Sequence, residues 1–144
     1  MKLILYIFLT VTLWFTPKDQ PTDDWYLLAD VKIETRRDDL LMEDRDFPVF
    51  GKNLLEKDGK EIELAGYMVP LDELLGQKNF VISSLPFQTC FFCGGAGPET
   101  VAEVRTTDAI KFTDSKIRVK GRLVLNDSDP VRLYYTLVDA EIID

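Results

Sequence analysis

Downstream of its first two dozen residues, the chain places apolar side chains at intervals of two and almost never at the three-to-four spacing of a helix. Residues 116–125 show this most clearly, with Ile117, Val119, Gly121, Leu123 and Leu125 on one face and Lys116, Arg118, Lys120 and Arg122 on the other. A period of two is that of a strand with one buried face. Residues 25–33 alternate as well, apart from Leu28, and predict a first strand. Further strands are expected after the Asp58-Gly59 turn signal (Ile62, Leu64, Gly66, Met68), over 79–84, over 101–105 and over 131–143. Leu54-Leu55 is read as the other arm of a hairpin around Asp58-Gly59, residues 71–75 as one helical turn, and the charged stretch 36–46 as a connector ending at Pro48. Five to seven short strands, with turn signals about every 8 to 12 residues, predict an all-β fold. The expected form is a single small OB-like Greek-key barrel, with interior glycines at Gly66 and Gly121 where long strands bend; a β-sandwich is the alternative.

The 144 residues suffice for one domain and no more. Residues 1–17 have the shape of a signal peptide: Lys2, an apolar run over 3–15, then Pro17 and a polar stretch. That run has 13 residues, short of the roughly 20 needed to span a bilayer. The expected organisation is therefore a leader over 1–17, an N-terminal strand and acidic connector over 18–48, and a barrel body over 49–144. The implied location is periplasmic or secreted, with membrane tethering if the leader is not cleaved.

Charge and composition exclude several functions. A formal net charge of −8 argues against nucleic acid, whose binding depends on neutralising phosphates. There is no histidine, hence no Ser-His-Asp triad, no Cys-His pair and no His-based zinc helix. The row Lys116, Arg118, Lys120, Arg122 is the one candidate face for an anion or an acidic partner, with a solvated strand face as the plain alternative.

The most specific feature is Cys90-Phe-Phe-Cys93, followed by Gly94-Gly95-Ala-Gly97-Pro98. Three chemistries share this spacing. Two thiolates can hold two corners of a tetrahedral site for a soft divalent ion, zinc above all, with the glycines letting the backbone turn around it. Glu99 is the nearest carboxylate to complete such a site, and a second copy across a homodimer interface is another source of donors. Alternatively the pair is a thiol–disulfide centre, in which Cys90, preceding its partner, would attack. Or it is a structural disulfide stapling a loop. No base and no nucleophile dyad accompanies it, so catalysis is not expected.

Four segments, namely Gly66-Tyr-Met-Val-Pro-Leu-Asp72, Leu85-Pro86-Phe87, the cysteine loop through Thr100 and Val119-Lys-Gly-Arg-Leu-Val-Leu-Asn126, resemble an uncharacterised family of exported bacterial proteins. That family, common in Bacteroidetes, is known only as a domain of unknown function, and the resemblance covers about residues 47–142. A related proteobacterial group looks similar over the Gly-Tyr-Met-x-Pro-Leu-Asp stretch but carries Cys-x-His and a proline run at the loop. Exchange of a thiolate for an imidazole suits a metal ligand and not a disulfide. Members of that group accompany exporter-like transporter subunits and are linked to zinc acquisition. The resemblance thus implies an exported zinc-binding accessory protein, with an envelope transporter or other exported protein as partner.

Overall fold

Gly66 marks the point at which one long strand changes neighbours, and the barrel is organised around that change. The computed structural model describes residues 23–39, 41–69 and 78–143. Within them, strand β3 (Glu61–Val69) pairs with β6 (Ile117–Leu125) up to Gly66, then with β4 (Asn79–Ser83) from Tyr67 onward. A Cβ at Gly66 would run into the Ser83 carbonyl oxygen, so only glycine lets β3 and β4 approach this closely where the sheet turns. β4 pairs with β5 (Val101–Thr106), β5 runs parallel to β7 (Tyr135–Ile142), and β7 returns antiparallel to β6. The order β3-β4-β5-β7-β6 closes on itself, a five-stranded Greek-key barrel of the OB-like kind. Closure excludes the sandwich alternative, because each of the five strands is hydrogen-bonded on both sides and no edge is left between two sheets.

The period-two pattern of β6 is realised: Ile117, Val119, Gly121 and Leu123 are buried, while Arg122 is exposed and Arg118 and Lys120 are half-buried. Opposite Gly121, β7 carries a bulge at Asp139 and Ala140, with Asp139 at φ 52. The barrel core joins Leu64, Ile82, Val104, Val119, Leu123 and Leu137 around the fully buried Tyr135. A smaller cluster of Val69, Val81 and Val101 lies apart from it.

Four sequence expectations need correction. Residues 25–33 are not one strand: Trp25–Leu28 form a helical turn, α1, and the strand β1 begins only at Val31 (Val31–Asp38). Long-range bonds fix the turn. Asp24 exchanges main-chain and side-chain hydrogen bonds with Glu63, both 2.9 Å, and the Trp25 indole donates to the Ala65 carbonyl at 2.9 Å. Leu28, the exception to the alternation, is the residue that enters the core. The charged stretch 36–46 is not a connector but the end of β1 and the start of β2 (Glu43–Phe50), joined in an antiparallel hairpin outside the barrel. There Arg36 and Arg45 stand directly opposite one another. Their repulsion is offset because both guanidinium groups lie over the Phe47 ring, at 4.6 and 5.2 Å, and Arg45 binds Asp38 at 2.7 Å.

Leu54-Leu55 belongs to a second helical turn, α2 (Lys52–Leu55), with Leu54 buried and Leu55 exposed; the Asp58-Gly59 turn is present, Gly59 at φ 75, but it joins that helical turn to β3. The last strand starts at Tyr135 and not at Val131, because Asn126 holds the preceding loop, accepting from Asp129 N–H and donating to the carbonyls of Asp129 and Leu133. The leader and the turn expected over 71–75 lie outside the described residues.

Candidate functional site: the Cys90–Cys93 loop

Residues 84–100 leave β4 and return as β5, so the barrel wall fixes both feet of the cysteine loop. At its base the Ser84 N–H donates to the Thr100 carbonyl at 3.0 Å. Between them run three short 3₁₀ turns, Phe87–Thr89, Phe91–Cys93 and Pro98–Thr100. The Cys90 carbonyl accepts from both Cys93 N–H, at 3.1 Å, and Gly95 N–H, at 3.2 Å. Gly94 sits at φ 75, a left-handed position that suits glycine and lets the chain double back at once after Cys93. Gly95 abuts the Thr89 carbonyl, Gly97 lies under the Glu99 carboxylate, and Pro98 opens the last turn. Gly94, Gly95, Gly97 and Pro98 thus all lie at or between the loop's 3₁₀ turns.

The two phenylalanines part company. Phe91 packs against Val69, Val81 and Val101, pinning the loop to the outside of the barrel wall, whereas Phe92 remains 42% exposed. This split decides the orientation of the cysteines. Cys90 is fully buried, Cys93 is exposed, and both are free thiols. The Cys93 thiol donates to the Phe87 carbonyl at 3.1 Å and is close enough to Cys90 to hydrogen-bond with it. Partial desolvation, then the neighbouring Cys90 sulfur, push the Cys93 pKa above its ordinary value. The outward sulfur is thus Cys93, the reverse of the assignment that chain order suggested for an attacking thiol. Cys90 heads only a single 3₁₀ turn, too short to supply the helix terminus that activates thiols in helical Cys-x-x-Cys sites.

Glu99 is not brought to the sulfurs. Its carboxylate folds back over Gly97, and its charge is felt by Tyr135, whose pKa is raised first by burial and then by Glu99. Among the described residues no three His, Cys, Asp or Glu side chains converge as a metal-holding group. Any ion at the two sulfurs would need donors from elsewhere or a rearranged loop.

The basic row is largely matched within the chain. Lys120 binds Glu61 at 2.8 Å, Arg122 binds Asp139 at 2.6 Å and Arg118 lies 3.6 Å from Glu63. An anion reaching this face would meet those carboxylates first. Lys116 precedes the strand and is exposed. What sequence reading missed was the dependence of the site on Val69, Val81 and Val101, three strand residues whose shared cluster only the closed barrel creates.

No protein-family model matches the chain, and no curated protein matches it. A solved structure to which it is similar is the crystal structure of a DUF3299 family protein from Pseudomonas aeruginosa PAO1. The TM-score is 0.46 at 19% identity, over 67% of this chain and 68% of that one. The chain is thus similar to a member of a domain-of-unknown-function family.

Proposed function

We propose that this is an exported, non-catalytic binding module whose working element is the Cys90–Cys93 pair, cycling between dithiol and disulfide by exchange with another exported protein. The observation that carries the reading is an exposed sulfur beside a fully buried one, in a loop on which no third donor converges among the described residues. Such asymmetry separates the two steps of an exchange. The Cys93 thiolate attacks a partner disulfide and releases one partner thiolate. The Cys90 thiolate then attacks the Cys93 sulfur and releases the second partner thiol, closing the Cys90–Cys93 disulfide. Two thiols are oxidised, one partner disulfide is reduced, and the two protons pass to the departing thiolates. The signal-like residues 1–17 and the motifs that resemble those of exported bacterial proteins support an oxidising compartment.

A second reading rests on the same adjacency. Two sulfurs side by side form half of a tetrahedral site for zinc, with the remaining donors supplied by a second copy, an envelope transporter, or Glu99 after movement of the loop. The resemblance to proteins linked with zinc acquisition favours it.

Thiol labelling and intact mass separate the two readings. Under the exchange reading, iodoacetamide modifies Cys93 first, and its rate keeps climbing past the pH at which an ordinary thiol levels off, as the raised pKa requires. Cys93→Ser removes the fast phase, whereas Cys90→Ser keeps it. The reduced chain should take up no zinc. One zinc per chain or per two chains, lost in Cys90→Ser, would overturn the exchange reading in favour of the metal one.

A further inference from the structure

Among the described residues the hairpin outside the barrel has two unpaired edges, and only one of them is unguarded. β1 pairs with β2 alone among the described residues, and six of its eight residues are exposed. A two-stranded ribbon is marginal by itself, and a long open edge offers a template to another strand. The outer edge of β2 is interrupted by Pro48, which has no N–H to offer. β1 has no such guard: Val31–Asp38 contains neither proline nor glycine and pairs in unbroken register, Val31 with Phe50 through Asp38 with Glu43.

We propose that β1 pairs with β1 of a second copy of this chain, antiparallel about a two-fold axis at Thr35, giving a four-stranded sheet across two molecules. Charge selects both the occupant and the register. In a two-fold antiparallel ladder some residue must face its own copy, since hydrogen-bonded and non-hydrogen-bonded pairs alternate. With Thr35 on the axis, Glu34 of each copy faces Arg36 of the other, and Lys32 faces Asp38. Placing Glu34 on the axis sets Glu34 against itself and Lys32 against Arg36. Placing Arg36 there sets Arg36 against itself and Glu34 against Asp38. Centring on Ile33 or Arg37 leaves a ladder of only residues 31–35 or 36–38.

The full-length complementary register is therefore the one about Thr35. Lys32 and Glu34 form none of the ion pairs found among the described residues, so the second copy supplies partners that the chain itself does not. Edge pairing of one strand is a small interface, and the dimer is accordingly a weak, reversible one.

Charge exchange tests this in the full chain. Sedimentation at rising concentration and low salt should show a reversible dimer, and Glu34→Arg or Arg36→Glu alone should weaken it by about tenfold or more. An equimolar mixture of the two variants should recover association, because each then presents the charges the other lacks. Both positions are exposed, and circular dichroism checks that the barrel is intact. As a second probe, Thr35→Cys should oxidise to a cross-link between the position-35 sulfurs of two chains, since residues on the axis face each other at roughly 4.5–5.5 Å between Cα atoms, within disulfide reach. A wild-type chain that stays monomeric, reversals without effect, a mixture that recovers nothing, or a missing position-35 cross-link would overturn the proposal. Covering of β1 by residues 1–22 of the same chain would give the first and last of these results.

Discussion

Replacing Tyr135 by alanine is expected to destabilise the protein by about 3 to 5 kcal/mol, in the range found for deleting a buried aromatic. Tyr135 is fully buried at the start of β7, its ring 6.0 Å from that of Phe50 and 6.4 Å from that of Tyr134. Its hydroxyl donates to the Leu28 carbonyl at 2.7 Å, tying α1 to the barrel across 107 positions of sequence. The alanine variant therefore loses packing and also leaves a buried carbonyl without its donor. Tyr135→Phe isolates the second effect, at about 1 to 3 kcal/mol.

The two variants also differ from the parent in pH dependence. Burial holds the Tyr135 hydroxyl pKa above its ordinary value, near ~10 for an exposed tyrosine. The folded state thus keeps a proton that the unfolded chain gives up, and the associated stability is full below about pH 10 and lost as pH rises further. Urea titrations from neutral to alkaline pH should show this fall in the parent and a flatter curve in Tyr135→Phe. A Tyr135→Ala loss below about 1 kcal/mol would contradict the place of this ring in the core.

Gly66→Ala is the second large effect, expected at about 3 kcal/mol, at the upper end of overpacking costs. The added methyl meets the Ser83 carbonyl group and lies 3.0 Å from Ile82 Cγ1. Ser83 and Ile82 are both fully buried, so β4 has no room to retreat without opening its pairing with β3. Ser83 immediately precedes the cysteine loop, whose base is the Ser84–Thr100 hydrogen bond. The substitution should accordingly be felt at the site. Cys90, unreactive in the parent because it is buried, should become open to alkylation in Gly66→Ala, which mass mapping of labelled peptides would read directly. Unchanged stability with Cys90 still protected would show that β3 and β4 do not approach as closely as their geometry indicates.

How far sequence revealed the fold depended on whether burial was one-sided. Ile117, Val119 and Leu123 alternate with basic residues because β6 has a core face and a solvent face, and such a strand is legible from its spacing alone. β1 is exposed on both faces over residues 32–37, and β2 opens with a charged, largely exposed run before its buried Pro48, so no clean alternation marks either strand and a charged strand reads as a loop. α1 failed for the opposite reason. Trp25, Leu27 and Ala29 imitate a strand face, and the bonds from Asp24 and Trp25 to β3 that impose the turn are invisible to local pattern.

At the site, Cys-x-x-Cys spacing and the glycines announced a tight loop with two sulfurs together. Which sulfur faces outward was not legible, since Phe91 settles it by packing on residues from β3, β4 and β5. Nor was the orientation of Glu99, which its own backbone turn directs away from the thiols.

The most direct test of the dithiol–disulfide function is to equilibrate the full chain in a graded series of dithiol–disulfide buffers, quench with acid, alkylate under denaturing conditions so that the buried Cys90 is reached as well as Cys93, and weigh the intact protein. One reversible two-electron transition, between a doubly alkylated form and an unlabelled form lighter by two hydrogens before alkylation, is the predicted result; it should vanish in Cys90→Ser and in Cys93→Ser. Two thiols that remain fully alkylatable at every poise would contradict it, and with it the reading of Cys90 and Cys93 as an exchanging pair.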